Sequence, residues 1–558
     1  MQKTWNFHKI FLIKQRKLIA DLGISPILAQ VLINRGIDTS RSAEQFLKSQ
    51  RSNFADAFLL KGMRKAVDRV RKAIENKEKI FIYGDYDVDG LTSCALLFYV
   101  LADLGAEVSC YIPHRMEEGY GLNTDACKSI KKKNASLMIT VDCGINSFEE
   151  IKYLASLGVD TIVTDHHQPQ EGKIPAAYSV INPHQKDCPY PYKELAGVGL
   201  AYKLAEALTG GTKDISEHLD LVALGTVSDM AALVGENRLF VKYGLEVLAK
   251  TKKAGLKALM EVAGISKGKI SAYHIGFMLG PRINATGRMG STEKALKLLL
   301  SKDAAESHEL AKMLDQENRQ RQRIEGKTLK EALNMVENEV NFKHHRSVVL
   351  HNDNWHPGVI GIVASRIAER FYRPTILIST AKTLGKGSGR SIKNFNMFDT
   401  LDKCKHLLKE FGGHEKAAGL SILRENLTEF KTIFNQLAHQ LLDVQDLVPV
   451  LDIDMEIALG ALSEKLIMEL EKCAPFGIGN PQPLFVSRNL KLKNKPRILR
   501  ANTYKLWLTD DKITCEAIAN GFDFTGSENN ISAAYSPSIN EWQGISTIQL
   551  KLKDMRIS

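Results

Sequence analysis

Three aspartates occupy alternate positions in a short stretch in the first fifth of the chain. Asp85, Asp87 and Asp89 follow the apolar run 80–83, and Gly90 closes the stretch. Side chains two positions apart in an extended chain point the same way, and three carboxylates on one side repel one another unless a cation lies among them. A solvated acidic turn would explain one or two aspartates. Three in alternation directly after a buried strand favour a divalent metal site.

Two later apolar strands end in the same residue types. The run 137–141 is followed by Asp142, and the run 161–164 is followed by Asp165, His166 and His167. Parallel strands that alternate with helices place their carboxyl ends at one edge of the sheet, so these side chains are expected beside the first acidic group. Carboxylate oxygens combined with imidazole nitrogens suit Mn²⁺ and also Mg²⁺. The three strand ends therefore predict one cluster that binds divalent ions.

Three other stretches contain residues that could contact a phosphate. Arg282, Asn284 and Arg288 lie in a segment punctuated by glycine, for which a polar turn is the alternative interpretation. The segments 385–391 and 411–419 combine glycine with Ser, Arg, Lys or His, and such loops let backbone N–H groups approach an anion. Neither segment has the spacing of a Walker A loop.

Composition restricts the class of protein. The chain has 558 residues, of which 44% are hydrophobic and 25% charged, as in globular proteins with several domains. The net charge of +11 is compatible with a polyanionic partner. The eight cysteines include no CxxC pair, which argues against a zinc ribbon or a disulfide framework and favours reduced thiols in a cytoplasm. No apolar run has the length of a membrane span, so we expect a cytoplasmic protein with no membrane association.

Hydrophobic periodicity predicts an α/β protein of five segments. They are a helical N-terminal segment (1–75), an α/β catalytic domain with a parallel sheet (76–290), a long connecting helix (291–340), a second α/β domain (341–445) and a β-barrel similar to an OB fold (446–558). No Gly or Pro interrupts 291–325, which favours a helix that joins two globular bodies. The basic stretch 491–500 would suit a nucleic-acid surface.

The motifs taken together resemble the DHH phosphoesterase superfamily and, within it, the RecJ family of single-strand-specific 5′→3′ exonucleases. Four stretches resemble the metal-binding motifs of the superfamily: GDYDVDG (84–90), VDCG (141–144), TDHH (164–167) and ALGTVSDM (223–230). The loops GSGRS (387–391) and GGHEKAAG (412–419) resemble its DHH-associated domain. The turn PFGIGNPQPLF (475–485) and the β-rich end resemble the RecJ family, so the resemblance covers nearly the whole chain.

The resemblance implies a function and most of a site. It implies two divalent ions, Mn²⁺ or Mg²⁺, and two-metal hydrolysis of single-stranded DNA from the 5′ end to 5′-mononucleotides, in DNA recombination and repair. The implied catalytic residues are Asp87, Asp89, Asp142, His166, His167 and Asp229. The implied metal ligands are Asp85, Asp87, Asp89, Asp142, His166 and Asp229. We expect the substrate to be bound by Arg115, Arg282, Asn284, Arg288, His356, Ser388, Arg390, Ser391, Gly413 and His414.

Three of these residues carry a particular interpretation. Asp229 follows an apolar helix, where an aspartate is ordinarily a cap, and only the resemblance makes it a ligand. Tyr83 stands where many members of the superfamily carry histidine, which leaves the ligand set of one ion open, with Asp85 as a substitute. His167 is expected either to bind metal or to contact the scissile phosphate. The resemblance also implies single-stranded DNA, a single-strand-binding protein and a RecQ-type helicase as partners, and we expect a monomer.

Two other functions stay open on the sequence. A DHH phosphodiesterase for cyclic dinucleotides or very short oligonucleotides would share the metal motifs, but such proteins are usually shorter and lack the β-rich end. A long single strand and a dinucleotide, compared as substrates, would separate the two enzymes. A DHH protein without bound metal could act as a replication or repair scaffold, but every expected aspartate is present here. Metal analysis with a nuclease assay would decide between scaffold and enzyme.

Overall fold

The computed structural model describes residues 3–114, 118–119, 121–265, 268, 270–290, 292–381, 383–500, 503–522, 530–542 and 544–557. The chain divides into two compact units. One unit contains Asn6–Leu314 and Asp452–Ser558. The other contains Asp315–Leu451 and the first residues of the chain.

A five-stranded parallel sheet forms the body that carries the acidic motifs. Its strands lie in the spatial order Glu107–Tyr111, Lys79–Gly84, Leu137–Val141, Asp160–Thr164 and Ser179–Ile181. Apolar side chains pack on both faces of the sheet, as in sheets that helices cover on both sides. Gly84 pairs with Val141, and Val141 pairs with Thr164, so the three strands that precede the acidic motifs end at one edge. The predicted α/β fold with a parallel sheet is confirmed.

Helices surround this sheet. The longer ones are Met63–Glu75, Val88–Asp103, Thr124–Lys132, Phe148–Ser156, Gly197–Thr209, Leu219–Ser228, Gly235–Leu248, Ala254–Val262, Gly280–Met289 and Thr292–Leu300. The helix Met63–Glu75 falls in the predicted N-terminal segment, yet Met63, Val67 and Val70 are buried in the core beside the sheet. A five-residue π-helix, Ile275–Leu279, leads directly into the helix Gly280–Met289.

In the described part of the C-terminal body the sheet has seven strands, and five of them close a ring. In order around the ring these are Phe485–Leu492, Ile531–Trp542, Ile545–Ile557, Thr514–Asn520 and Thr503–Thr509, and the last pairs again with the first. The short strands Met455–Glu456 and Arg497–Arg500 extend the sheet outside the ring. The predicted OB-like sheet is confirmed, and the pairings close it. Six of the ten residues in the basic stretch 491–500 lie in strands, and of these the strand Arg497–Arg500 is not predicted from the sequence.

The N-terminal helices pack against this C-terminal body. They are Leu12–Leu22, Pro26–Asn34 and Ser40–Leu47, and they share one core with the ring and the helix Glu464–Leu470. The strand Thr4–Phe7, which the sequence does not predict, pairs with Val450–Ile453. Among the described residues no helix alone is long and apolar enough to cross a membrane, and one bent pair, Leu12–Leu22 with Pro26–Asn34, meets that test of length and composition together.

The second unit is also α/β. Its sheet has the order Leu408–Gly413, Ala417–Leu423, Leu384–Arg390, Thr375–Ala381 and Val348–Asn352. The last two strands are parallel, and the other neighbours are antiparallel. The helices Pro357–Phe371, Met397–Lys403 and Leu427–Leu441 complete the unit and share its apolar cores. The predicted second α/β domain is thus present.

The predicted connecting helix over 291–340 is in fact two helices, Thr292–Leu300 and Ala304–Glu339. No glycine or proline marks the break between them. A carboxylate oxygen of Asp303 accepts a hydrogen bond from the backbone N–H of Glu306 at 2.7 Å, and the Ser301 hydroxyl donates to the Glu306 carboxylate at 2.6 Å. Side-chain capping therefore begins the second helix where the apolar pattern alone predicts continuity.

Candidate metal centre

Seven carboxylate and imidazole side chains meet at the carboxyl edge of the parallel sheet. In each of three groups, the ligand atoms lie within 4.8 Å of one another. The groups are Asp89, His166 and Asp229; Asp142, His166 and His167; and Asp85, Asp87 and Asp142. Because Asp142 and His166 each belong to two groups, the three groups form one centre. Every residue that the sequence predicts as a catalytic group or metal ligand lies in this centre.

The acidic turn is shaped by its own hydrogen bonds. Asp87 is the N-cap of the helix Val88–Asp103, and its Oδ1 accepts hydrogen bonds from the N–H groups of Asp89 at 2.9 Å and Gly90 at 3.1 Å. Asp89 therefore lies in the first turn of this helix. The alternation of the three aspartates predicts extended chain, which would place Asp89 on a strand. A Cβ at Gly90 would lie 2.5 Å from the backbone N and O of Asp85, so the turn requires glycine at this position.

Asp89 is held by the start of a helix distant in sequence. Its carboxylate accepts hydrogen bonds from the N–H groups of Gly197 at 2.7 Å and Val198 at 2.9 Å, which begin the helix Gly197–Thr209. A helix N-terminus stabilises a buried negative charge through its free N–H groups and dipole. A Cβ on Gly197 would lie 2.9 Å from Asp89 Oδ2 and 2.8 Å from Asp142 Cβ. The sequence analysis missed this helix start, for which the signal is the small-residue stretch AGVGLA (196–201).

His166 points a ring nitrogen at the carboxylates. Its Nε2 lies 3.1 Å from Asp142 Oδ1 and 4.0 Å from Asp89 Oδ2. This buried Nε2 has no hydrogen-bond partner among the side chains and backbone that the structure describes. Burial, reinforced by the charge of His167, lowers the pKa of His166 to about 4. The ring is therefore neutral near pH 7, which is the form that binds metal ions.

The buried carboxylates favour their protonated forms when no cation neutralises them. Burial, and then the charge of Asp87, raises the pKa of Asp89 to about 7. Burial and repulsion by Asp89 raise the pKa of Asp229 to about 9, and the same two causes raise that of Asp142 well above its usual range. A divalent cation removes this repulsion and favours the charged forms. The donor set includes the His166 nitrogen, which no described residue bonds, and it therefore fits divalent ions.

His167 differs from its neighbour His166 in charge. Asp165 accepts hydrogen bonds from His167 Nδ1 at 2.8 Å, from His167 N–H at 3.0 Å and from the Ile145 N–H at 2.9 Å. Burial disfavours the charged ring, but the hydrogen bond to Asp165 and the charges of the nearby aspartates together outweigh burial and raise the pKa of His167 to about 9. Near neutral pH the His167 ring is therefore a cation, whereas the His166 ring is not.

Tyr83 lies away from this centre. Its hydroxyl donates a hydrogen bond to the carbonyl of Gly121 at 2.9 Å, and its buried ring stacks on Tyr111 with 5.4 Å between ring centroids. Asp85 instead belongs to the group with Asp87 and Asp142. This placement favours Asp85 as the substitute ligand for the ion that a histidine at position 83 would bind.

The helix Gly280–Met289 packs against the acidic turn. Asn284 Oδ1 accepts a hydrogen bond from the Val88 N–H at 3.3 Å, so its side chain supports the turn. Arg282 donates to the Met278 carbonyl at 2.6 Å, and Arg288 lies in the last helical turn. These three residues are therefore helical, and the polar turn considered as their alternative is wrong. The predicted Arg115 lies outside the described residues.

The remaining predicted substrate residues lie in the second unit. His356 is the N-cap of the helix Pro357–Phe371, and its Nδ1 accepts a hydrogen bond from the Gly358 N–H at 3.0 Å. Arg390 donates to the Ser388 hydroxyl at 3.0 Å. A Cβ at position 361 of that helix would lie 2.9 Å from Ser388 Oγ and 3.0 Å from an Arg390 guanidinium nitrogen. The first turns of the helix therefore lie against both residues.

A tight hairpin completes this group. Gly413 has φ 139°, and a Cβ there would lie 2.4 Å from the Ala417 carbonyl oxygen. The N–H of His414 donates to the same carbonyl at 2.8 Å. Ala417 pairs with Arg390 across the strands, and the Ser391 N–H donates to the next carbonyl back, that of residue 416, at 2.9 Å. Arg390, Ser391, Gly413 and His414 therefore meet at one end of the sheet, and Ser388 lies two residues in from that end. His356 follows the other end of the strands, since the Ser379 hydroxyl, which donates to the Trp355 carbonyl, belongs to a residue that pairs with Lys386 and not with Arg390.

Three protein-family models match the chain. The DHH family N-terminal domain matches residues 79–226, the DHHA1 domain matches 344–440, and the RecJ OB domain matches 453–554. Each match falls within one of the segments predicted from the sequence.

Relatives and solved structures extend this similarity over the whole chain. The chain is 40% identical over 552 residues to the single-stranded-DNA-specific exonuclease RecJ of Bacillus subtilis (strain 168), which covers 98% of this chain and 70% of that protein. The crystal structure of RecJ in complex with Mn²⁺ from Thermus thermophilus has a TM-score of 0.87 at 30% identity and covers 100% of this chain and 80% of that one. The Mg²⁺ complex of RecJ from the same organism has a TM-score of 0.81 at 29% identity and covers 100% and 78%. The chain therefore belongs to the RecJ family of the DHH superfamily.

Proposed function

We propose that this chain is a metal-dependent exonuclease that hydrolyses single-stranded DNA from the 5′ end to 5′-mononucleotides, in DNA recombination and repair. The observation that carries the proposal is the centre of seven carboxylate and imidazole side chains. In this centre the buried His166 Nε2 faces Asp142 and Asp89, and none of the described residues forms a hydrogen bond with it. The relatives support the substrate, because they are named for activity on single-stranded DNA. The OB-like ring argues against the shorter dinucleotide phosphodiesterases.

The overlapping ligand groups would hold two divalent ions, Mn²⁺ or Mg²⁺. We assign one ion to Asp89, His166 and Asp229, and the other to Asp85 and Asp87, with Asp142 shared between them. When bound, such ions lower the pKa of water and neutralise charge on the attacked phosphate. The chain contributes fixed geometry, since the cap at Asp87 and the N–H groups of the helix start at 197–198 orient their carboxylates before any ion arrives.

His167 would act on the phosphate and not on a metal ion. A ring that is cationic near neutral pH has no lone pair to offer a metal, but it can donate a hydrogen bond to a phosphate oxygen. Asp165 accepts from Nδ1, so Nε2 is the atom assigned to this donation. The same nitrogen could give its proton to the leaving oxygen.

The residue group in the second unit would bind the terminal 5′ phosphate. Backbone N–H groups around Gly413, the hydroxyls of Ser388 and Ser391, and the guanidinium of Arg390 are ligands that phosphates prefer. His356 and His414 of the same unit would contact the DNA backbone that follows this phosphate. A site for a terminal phosphate explains degradation from one end, because an internal phosphate is a diester with a chain on both sides.

The deciding experiment compares 5′-labelled and 3′-labelled single strands, with Mn²⁺ supplied, for the wild type and Asp142→Asn. Asp142 has φ 60°, which asparagine tolerates. Asp187→Asn is the matched control, because Asp187 has φ 61° in the same body and is exposed. We expect Asp142→Asn to lower the rate by more than about 100-fold, and the control to match the wild type. Full activity of Asp142→Asn, or first release of the 3′ label, would contradict the proposal.

The protein partners, the oligomeric state and the location in the cell follow only from membership of the family. We propose that the protein acts as a monomer in the cytoplasm, with a single-strand-binding protein and a RecQ-type helicase as partners. Sedimentation of the pure protein measures its state, and co-sedimentation with each candidate partner measures binding. A stable dimer would contradict the proposed monomer, and the absence of a complex with either protein would contradict the proposed partners.

A further inference from the structure

A glycine-containing turn of the C-terminal body lies against the loop that follows Asp229. This glycine turn, residues 474–483, has the sequence APFGIGNPQP. The N–H of Leu233 donates a hydrogen bond to the Ile478 carbonyl at 2.7 Å. A Cβ on Gly477 would lie 2.7 Å from Leu233 Cδ1 and 3.1 Å from its Cγ. Leu233 is buried, so the close approach depends on the absence of a side chain at position 477.

The glycine turn is itself held in place. Asn480 is buried, and its Nδ2 donates to the carbonyls of Cys473 at 2.8 Å and Pro475 at 2.9 Å. The buried guanidinium of Arg238 donates to the three consecutive carbonyls of residues 472–474, at distances of 2.9–3.3 Å. Arg238 belongs to the helix Gly235–Leu248, which begins directly after the loop that the turn contacts. The turn and the loop are thus fixed to the same helix.

The loop in turn contacts the support of the acidic centre. Asn237 Nδ2 donates to the Ala232 carbonyl at 3.2 Å and to the Glu194 carbonyl at 2.5 Å. Glu194 lies just before the helix Gly197–Thr209, whose first N–H groups donate hydrogen bonds to Asp89. At the other end of the loop, Asp229 is the C-cap of its own helix. A displacement of the loop would therefore reach both carboxylates of one ligand group, Asp89 and Asp229.

We propose that the glycine turn is a positioning element for the metal centre, through which the OB-like body sets the placement of Asp229 and Asp89. Between Asp229 and the helix that starts at Gly235 there are only five residues, so the loop cannot absorb a shift at Leu233 without moving its neighbours. This proposal rests on the proposed function for its kinetic measurement. Its second measurement, Mn²⁺ affinity, does not depend on the substrate.

The test uses the full chain with Gly477→Ala and titrates Mn²⁺ by calorimetry beside steady-state kinetics on single-stranded DNA. We expect about tenfold weaker Mn²⁺ binding and about tenfold lower kcat, as for residues that orient metal ligands, with KM for DNA unchanged. The matched control is Gly460→Ala in the same body, where the added Cβ would make an ordinary contact, 3.5 Å from Ile513 Cδ1. The control is expected to behave as the wild type in both assays.

A double-mutant cycle separates positioning from general destabilisation. Leu233→Ala removes the side chain that the new methyl group would meet, so Gly477→Ala should cost less in its presence than alone. Wild-type Mn²⁺ affinity and kcat in a folded Gly477→Ala variant would overturn the proposal. If the Gly477→Ala variant shows no cooperative thermal transition, Leu233→Ala is compared with the wild type instead. Wild-type Mn²⁺ affinity in Leu233→Ala would then overturn the proposal. A wild type that binds Mn²⁺ but does not degrade DNA would refute the proposed function alone.

Discussion

A single methyl group at Gly197 should disable the metal centre. The Cβ of Gly197→Ala would lie 2.9 Å from Asp89 Oδ2 and 2.8 Å from Asp142 Cβ. Carbon atoms in contact prefer separations of about 3.5–4.0 Å, so the two carboxylates and the helix must separate by roughly 1 Å. That movement also lengthens the hydrogen bonds from the N–H groups of Gly197 and Val198 to Asp89, which are now 2.7 and 2.9 Å.

The structure sets the size of the effect. A misplacement of about 1 Å at a catalytic group costs on the order of 100-fold in rate. Hydrogen bonds to a charged group contribute about 1.5–3 kcal/mol each, so weakening two of them on Asp89 is consistent with a loss of that size. We therefore expect kcat/KM on single-stranded DNA to fall by about 100-fold, which is about 2.7 kcal/mol of transition-state stabilisation.

The control for Gly197→Ala is Gly199→Ala in the same helix. A Cβ on Gly199 would make only ordinary contacts, 3.5 Å from Leu195 Cδ2 and 3.6 Å from Phe240 Cε2. Both variants gain the same methyl group in the first turn of the same helix, and they differ in what that methyl group meets. Rates and Mn²⁺ titrations should separate them, with Gly199→Ala close to the wild type. Equal rates for the two variants would refute the assignment of the helix start to the metal centre.

Three further predictions concern protonation and the roles of single residues. Because the pKa of Asp89 is raised to about 7 and that of Asp229 to about 9, the folded protein in EDTA binds protons that the unfolded chain has lost, and its stability should fall as pH rises through this range. Mn²⁺ must displace those protons, so the difference in melting temperature between Mn²⁺ and EDTA should be larger at pH 8 than at pH 6; an equal difference would contradict the raised pKa values. His166→Gln should abolish tight Mn²⁺ binding, whereas His167→Gln should keep Mn²⁺ affinity and lower kcat; calorimetry and kinetics would contradict the assignment if the two variants lost affinity equally. Arg390→Lys should reduce the preference for 5′-phosphorylated over 5′-hydroxyl strands with Mn²⁺ affinity unchanged, because lysine lacks the planar fork that binds phosphate, and an unchanged preference would show that the phosphate binds elsewhere.

The amino-acid sequence by itself determined which chemical groups the centre contains. Apolar strands are recognised from runs of a few residues, and parallel strands bring their carboxyl ends to one edge. For that reason the carboxylates after strands 79–84 and 137–141 and the histidines after 160–164 could be predicted to meet. Glycine spacing and short β-rich runs likewise indicated the second α/β body and the OB-like sheet, because these signals are also local.

Only the tertiary structure decided how those groups are held and charged. The N–H groups that bind Asp89 come from residues 108 and 109 positions later, a separation over which no local pattern operates. The opposite charge states of His166 and His167 depend on which ring contacts Asp165 and which faces Asp142. The sequence shows only two adjacent histidines, so it does not indicate which of them will be charged. The contact of the glycine turn with the loop after Asp229 joins parts of the chain more than 200 residues apart. Close packing between distant segments sets burial and distance, and these set the pKa values and the ligand geometry.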